Sequence, residues 1–292
     1  MRPLLVPGAH VLRRHDGSFQ VGLDPRDAVV LPGTPAVAAC LARLDGSPAT
    51  GDDPTLAVLD RAGLLVDERA LIPLVSAAGG AVEAASAAAM VRRHGARAAE
   101  LTTARAARPV EVTGFGHPCG ATLVDRAREL LAGAGLGPDD GDTAVGVLVG
   151  VGEPERERTD RWLRDQVPHL PVRLSEGRAT VGPFVVPGET ACLRCVDAHH
   201  TDADPTWPLL VRQYAAACRR PRADGAPEPL DPLLAGIALA WAARDVATFV
   251  DGDQPSTWST TLTLDATLAA VETRTWARHP ECGCSWQGSA AV

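Results

Sequence analysis

The sequence predicts an α/β protein in two parts, a small N-terminal module of short strands and helices followed by a larger α/β domain. Three observations carry that prediction. Residues 10–32 alternate brief β-like runs with turns. Residues 109–135 pass from a strand through a glycine-rich loop into a helix, and another apolar strand starts near residue 143. Two close cysteine pairs, Cys192 with Cys195 and Cys282 with Cys284, lie far apart in the chain, so a shared site would tie its end to its centre.

Within the first part, "HVLRR", "FQVGL" and "AVVLP" read as three strands, with Asp16-Gly17 as a hairpin turn. Thr34 is a good N-cap for a helix over 35–44 that places Val37, Leu41 and Leu44 on one face. A second helix over 55–62 stops at Gly63, and "GLLVDE" closes the unit. Three short strands followed by helices is the layout of a small winged-helix module, assigned to residues 1–70. An Ala-rich helical linker, residues 71–108, leads to the α/β domain, residues 109–292. There, "PVEVTGFG" and "TAVGVLVGV" are strands, 159–166 is a helix, and strands follow within 171–186. A helical region over 207–251 precedes two β-like runs, "STWSTTLTLD" and "LAAVETRTWA".

Composition narrows the function classes. The 292 residues are 46% hydrophobic and 22% charged, as in a soluble globular protein, and the 4% aromatic content leaves the core to Ala, Leu and Val. All 28 basic residues are arginine, so chemistry that requires a lysine is excluded. The net charge of −8 lacks the basic footprint of a nucleic-acid binder. The first residues hold too short an apolar run for a signal peptide. The longest apolar stretch, "LLAGIALAWAARDVATFV", contains Arg244 and Asp245 and reads as a buried helix, with no membrane span. The expected location is cytoplasmic, where seven cysteines favour metal or free thiols over disulfides.

A lone CxxC pair is ambiguous among half a zinc site, a redox couple and coincidence. The second pair favours zinc, since two distant pairs are the usual way to build a four-thiolate tetrahedral site. Gly283 permits the bend that a CxC ligand loop needs. With Cys192, Cys195, Cys282 and Cys284 as ligands, every position on Zn2+ is filled, so the role is structural. His199, His200 and His279 are read as bystanders, Cys40 as core, and Cys119 and Cys218 as unliganded.

Gly114, Gly116 and Gly120 space as G-x-G-x-x-x-G, one residue longer than the dinucleotide fingerprint. A nucleotide site also needs an acidic residue at the end of the next strand. Asp139, Asp140 and Asp142 instead fall in a loop, and "VGVLVG" ends in glycine and valine. Close strand–helix packing is the favoured use of these glycines, and no cofactor-binding or catalytic residue is assigned.

"VTGFGHPCG", "TAVGVLVGV", "VGPFVVPGETACLRC", "CLRCVDAHHTDADPTWP" and "HPECGC" together resemble the ThiF/E1-like superfamily, in its branch of azole-peptide cyclodehydratase partner proteins. The resemblance covers nearly the whole chain. It implies a PqqD-like winged-helix recognition element that binds a precursor's leader peptide, followed by a truncated E1-like, Rossmann-type domain with a structural zinc. It also implies a YcaO-type enzyme as partner, and dimer formation, which is frequent among E1-like proteins. In active E1 enzymes two strands, an arginine-bearing helix and a lysine separate the glycine loop from the strand matching "VGVLVG". Here only 31 positions separate Gly114 from Val145, and the chain has no lysine. The implied role is recruitment without independent catalysis. An adenylating or sulfur-transferring enzyme and a winged-helix regulator are the alternatives. Residues 1–70 hold 7 Arg against 9 Asp plus Glu, which opposes the regulator.

Peptide binding falls on the third strand, Ala28, Val29, Val30 and Leu31, because an edge strand can accept an extended peptide as an added strand. On the family's pattern the peptide lies between this strand and the helix near 56–61, where Arg61 could meet an acidic leader residue.

Overall fold

The computed structural model describes residues 2–44, 53–138, 141–220 and 222–285. The chain divides into two compact units, Met1–Thr103 and Ala104–Val292.

The N-terminal unit begins with β1 (Pro3–Leu5), followed by β2 (Val11–Arg13), β3 (Phe19–Val21) and β4 (Val29–Leu31). The last three form an antiparallel sheet in the order β2-β3-β4. Gly17 takes the left-handed conformation (φ +81°) in the first hairpin, and Asp16 accepts a hydrogen bond from Ser18 N–H at 3.0 Å. Helix α1 (Pro35–Leu44) is capped by Thr34, whose hydroxyl accepts from Val37 N–H, and α2 (Pro54–Arg61) by Asp53, which accepts from Thr55 N–H. Strand β5 (Leu65–Asp67) pairs antiparallel with β1, a two-stranded sheet that joins the first residues of the unit to those after α2.

Three helices follow, α3 (Glu68–Ser76), α4 (Ala81–His94) and α5 (Ala98–Ala106). Val91 and Ala98 are buried in the same core as Val21, Cys40, Leu41, Leu59 and Leu64. The helices expected as a linker over 71–108 thus supply part of the N-terminal core. Cys40 is core, as its place in α1 suggested.

The C-terminal unit is built on a seven-stranded sheet. Its elements are β6 (Pro109–Gly116), α6 (Ala121–Gly133), β7 (Gly137–Pro138), β8 (Val145–Val151), α7 (Glu157–Arg164), β9 (His169–Ser175) and β10 (Arg178–Val181). After these come α8 (Leu193–Ala203), α9 (Trp207–Ala217), α10 (Pro232–Val250), β11 (Thr260–Asp265) and β12 (Val271–Thr275). The strand order is β12-β11-β10-β9-β8-β6-β7. Strands β7, β6, β8 and β9 run parallel, and β10, β11 and β12 extend the sheet as antiparallel neighbours. Strand β8, "VGVLVGV", is buried along its whole length, as a strand covered on both faces must be.

Leu123, Ala127 and Leu131 recur every four residues on the buried side of α6. Helix α10 buries Leu234, Ala238, Leu239, Ala242 and Val246 in the same core. By length and composition α10 could cross a bilayer, but here it packs against β9, β10 and α6. The opposite side of β8 packs Leu148 with Phe115 and Trp162.

The glycine loop after β6 is shaped by close approach. Gly116 has φ +78°, and a Cβ there would overlap the Val151 carbonyl oxygen of β8. A Cβ on Gly120 would press on Val151, and one on Gly114 on the Val124 side chain. Asp142 lies in the bend before β8, while Asp139 and Asp140 lie outside the described residues.

His169, at the start of β9, is fully buried. Its Nδ1 is 3.0 Å from the Val167 carbonyl, and Nε2 has no hydrogen-bond partner among the described residues. Burial pushes its pKa down to about 4. An unfolded histidine titrates near ~6.5, so below that pH the unfolded chain takes up a proton that the folded chain refuses. This contribution to stability is complete above pH ~6.5 and declines as pH falls towards 4, by about 3 kcal/mol in total. Denaturant unfolding of wild type and His169→Leu at pH 7 and pH 4.5 should show a smaller acid loss in the variant. Equal losses would contradict the assignment, and acid effects elsewhere cancel in the difference.

Candidate functional site

The four cysteines singled out in the sequence converge. Cys192 is the N-cap of α8 and Cys195 lies in its first turn. Cys282 and Cys284 come from the segment after β12, where Cys282 N–H donates to the His279 carbonyl (3.0 Å) and Gly283 opens a 3₁₀ turn. The Sγ–Sγ separations are 3.8 Å for Cys192–Cys195, 3.7 Å for Cys192–Cys282 and 3.4 Å for Cys195–Cys284. A tetrahedron with metal–sulfur bonds of about 2.3 Å has edges of about 3.8 Å, so the cluster has the size a four-thiolate metal site requires. Disulfide sulfurs sit at about 2.05 Å, and these cysteines are free thiols.

The CxxC does open a helix, as a redox couple would. The second pair, packed against it, distinguishes this site. Hydrogen bonds among the four sulfurs, that with Cys195 first, hold a proton on Cys192 and push its thiol above the ordinary range, while the same bonds draw Cys195 and Cys282 below it. A cation reverses that preference, and the positive end of α8 adds to it.

Among the described residues, the surroundings close the site without adding a fifth ligand. Leu163, Val185, Ala191, Val196 and Trp276 form an apolar shell around the sulfurs. A backbone hydrogen bond from His279 reaches the Cys195 sulfur. His279 Nδ1 accepts from Glu281 N–H (3.2 Å), which leaves Nε2 protonated to donate to Asp202 at 3.1 Å. His199 Nε2 donates to the Ala277 carbonyl (2.9 Å), and His200 stacks on Trp207 with ring centres 4.3 Å apart. His199, Asp202 and His279 lie close enough to suggest a second metal group. The proton on His279 Nε2 fits a clasp between α8 and the C-terminal ligand segment better than a ligand. Arg278 adds a hydrogen bond to the Gly188 carbonyl.

Sequence reasoning missed an ionic network beside this cluster. Arg156, after β8, grips Asp197 of α8 with two hydrogen bonds (2.6 and 2.9 Å) and donates to Glu153 at 2.9 Å. Arg173 of β9 holds the other oxygen of Glu153, and Trp207 Nε1 donates to Asp197. Burial works against the Arg156 charge, but Asp197 and Glu153 more than restore it and hold the guanidinium above its usual range. Burial likewise raises the Asp197 carboxyl, and Arg156 outweighs that to leave it below the usual carboxylate range. The only sequence signal was the charge-dense run "GEPERERTD", which does not disclose a partner 41 residues later. A cleft of about 730 Å³ opens beside the network, and residues of both charges line it, Arg194, Arg212 and Arg219 with Glu155 and Glu157.

In the N-terminal unit, the candidate peptide residues divide by role. β4 is the outer strand of its sheet. Gly22 N–H donates to the His10 carbonyl and Arg14 N–H to that of Ser18, which sets the phase of the β2–β3 ladder. Given the register Val21↔Val29 and Phe19↔Leu31, Val29 and Leu31 turn their backbone groups toward β3 and Val30 turns its own outward. The Val30 side chain is also 54% exposed, while Leu31 is buried. Ala28 precedes the strand, its N–H already donated to Asp24 O at 2.8 Å. Arg61 is exposed in the last turn of α2 and donates to the Ala57 carbonyl (3.2 Å).

No family model matches the chain, and no curated protein matches it in sequence. Solved structures do. The heterocyclase TruD is similar over 97% of this chain and 42% of its own, with a TM-score of 0.69 and 19% identity. A heterocyclase in complex with substrate and cofactor matches over 98% of this chain and 39% of its own (TM-score 0.65, 18% identity). Escherichia coli MccB crystallised with ATP matches over 98% of this chain and 100% of its own (TM-score 0.60, 12% identity). This chain spans about two fifths of the heterocyclases it resembles. At these identities the likeness establishes the fold, a mixed α/β architecture shared along nearly the whole chain.

Proposed function

We propose that this protein is a partner protein without independent catalysis, which binds the leader segment of a ribosomal precursor peptide and presents it to a YcaO-type modifying enzyme. The observation that carries the reading is the outward-facing backbone of Val30 on edge strand β4, in a chain with the heterocyclase and MccB fold. The N-terminal unit then serves as a winged-helix recognition element. An extended leader adds a strand to β4, main-chain pairing supplies affinity, and the neighbouring helix sorts side chains. Zn2+ held by Cys192, Cys195, Cys282 and Cys284 has a structural role, tying the C-terminal segment to α8.

The test is fluorescence anisotropy with labelled leader peptides titrated against the full chain. Saturable binding to one leader and none to a scrambled one supports the reading. Absence of binding to the leaders of all candidate precursors would sink it.

The adenylating alternative has the fold likeness to MccB in its favour. Against it stand the missing lysine and the glycine loop, whose glycines are used for contact with β8 and α6. Transferring phosphates need positioned positive charge, which E1 enzymes draw partly from the lysine this chain lacks. Isothermal titration with Mg-ATP should show no saturable binding in the micromolar range. Saturable heat there, together with ATP–pyrophosphate exchange, would establish the enzyme reading instead.

A further inference from the structure

Of the four clustered cysteines, Cys192, Cys195 and Cys282 are buried, and Cys284 is partly open. An open pocket of about 210 Å³ reaches it, and Cys284 is the one cysteine among the described residues of its lining. Asp160 and Arg164 of α7 and Arg194 of α8 form the polar part of its wall. Asp160 fixes Arg194 there through three hydrogen bonds of 2.9, 3.1 and 3.2 Å. Arg164 is exposed in the last turn of α7. The pocket thus presents one sulfur of the cluster beside two guanidinium groups.

We infer that Cys284 is a modification site for hydrogen peroxide, oxidised first in the cluster and then joined to Cys195 in a disulfide. The inference rests on the zinc reading above, in which the four sulfurs are held as thiolates. The Cys284 thiolate attacks one oxygen of the peroxide and the O–O bond breaks, giving a sulfenic acid. The second oxygen leaves as hydroxide, which the guanidinium groups stabilise and a solvent proton converts to water. Cys195 Sγ is 3.4 Å away, the shortest of the three sulfur separations given above, and attacks the Cys284 sulfur. As the S–S bond forms, the sulfenic oxygen departs as a second hydroxide and also becomes water. Two thiolates have lost two electrons, the peroxide has gained them, and two protons have been consumed. With half its ligands gone the metal is released, and the C-terminal segment is untied from α8.

The cysteines outside the cluster lack this combination of access and charge. Cys40 and Cys218 are buried. Cys119 is partly open, like Cys284, but no metal holds it as a thiolate, and burial pushes its thiol above the ordinary range. Oxidation needs both the thiolate and a path to it.

Peroxide treatment of the full chain tests the site, with zinc content measured before treatment and release followed with a chromogenic chelator. Dimedone, which traps sulfenic acids, should label Cys284 first in peptide mapping by mass spectrometry. Without dimedone, zinc release should track formation of the Cys195–Cys284 disulfide, and a thiol reductant with added zinc should reverse both. Arg164→Glu should slow release about threefold or more, because it removes a charge that stabilises the departing hydroxide. Cys119→Ser should release zinc at the wild-type rate. Zinc retained under peroxide, first label on another cysteine, a different disulfide, or an unchanged rate in Arg164→Glu would each overturn the proposal. A chain that carries no zinc before treatment would instead fail the zinc reading, and the proposal with it.

Discussion

A Cys192→Ser/Cys282→Ser variant should lose its metal and, with it, the attachment of the C-terminal segment to α8. Wild type should carry one tightly held zinc per chain by elemental analysis. The ligand pairs are separated by 86 residues between Cys195 and Cys282, so the ion closes a loop containing α9, α10, β11 and β12. Structural zinc sites bind with apparent free energies of about 10–16 kcal/mol, and binding is coupled to folding. A domain's whole stability is about 5–15 kcal/mol, so losing the ion should appear as lower solubility, earlier thermal unfolding and protease sensitivity. Single replacement of Cys282 should act in the same direction. Cys119→Ser is the control, because Cys119 lies at the glycine loop and not in the cluster. Full metal content in the double variant would refute the four-thiolate assignment.

The cysteine cluster was legible in the sequence because its signal is local and chemical. Each pair is a short spacing, and only the meeting of the pairs had to be inferred. Strand β8 was legible as a continuous apolar run, and α1 from its capping residue and apolar face. What escaped was pairing over distance. Pro3–Leu5 is too short to show alternation, and its partner Leu65–Asp67 lies sixty residues later. The packing of Val91 and Ala98 into the N-terminal core could not be seen in an Ala-rich stretch whose helical face is weakly marked. The Arg156–Asp197 pair escaped for a related reason: it needs the carboxyl end of β8 and the first turns of α8 to meet, and charge spacing does not encode that. Antiparallel extension of the sheet through β10, β11 and β12 was equally hidden, since strand direction depends on connections and not on strand composition.

Replacing Val30 by proline should weaken leader-peptide binding by about tenfold or more while leaving the fold largely intact, an expectation that rests on which way one N–H points. Within β4, Val29 and Leu31 engage β3, so proline at either would break the sheet itself. The Val30 N–H faces away from β3, so its removal costs no ladder hydrogen bond and takes away the donor that an added strand would use. Val30→Thr keeps the backbone donor and the β-branched shape, and should bind nearly as wild type does. The contrast between the two isolates backbone pairing from side-chain contact, which a single substitution would confuse. Arg61→Ala tests a narrower point: a role in meeting an acidic leader residue predicts a loss that disappears when that residue is neutralised, since both changes remove the same pair. Anisotropy titrations, with circular dichroism to confirm folding, read all three variants. Equal affinity of Val30→Pro and wild type for the same leader would move the peptide off β4, and with it the strand-addition mechanism.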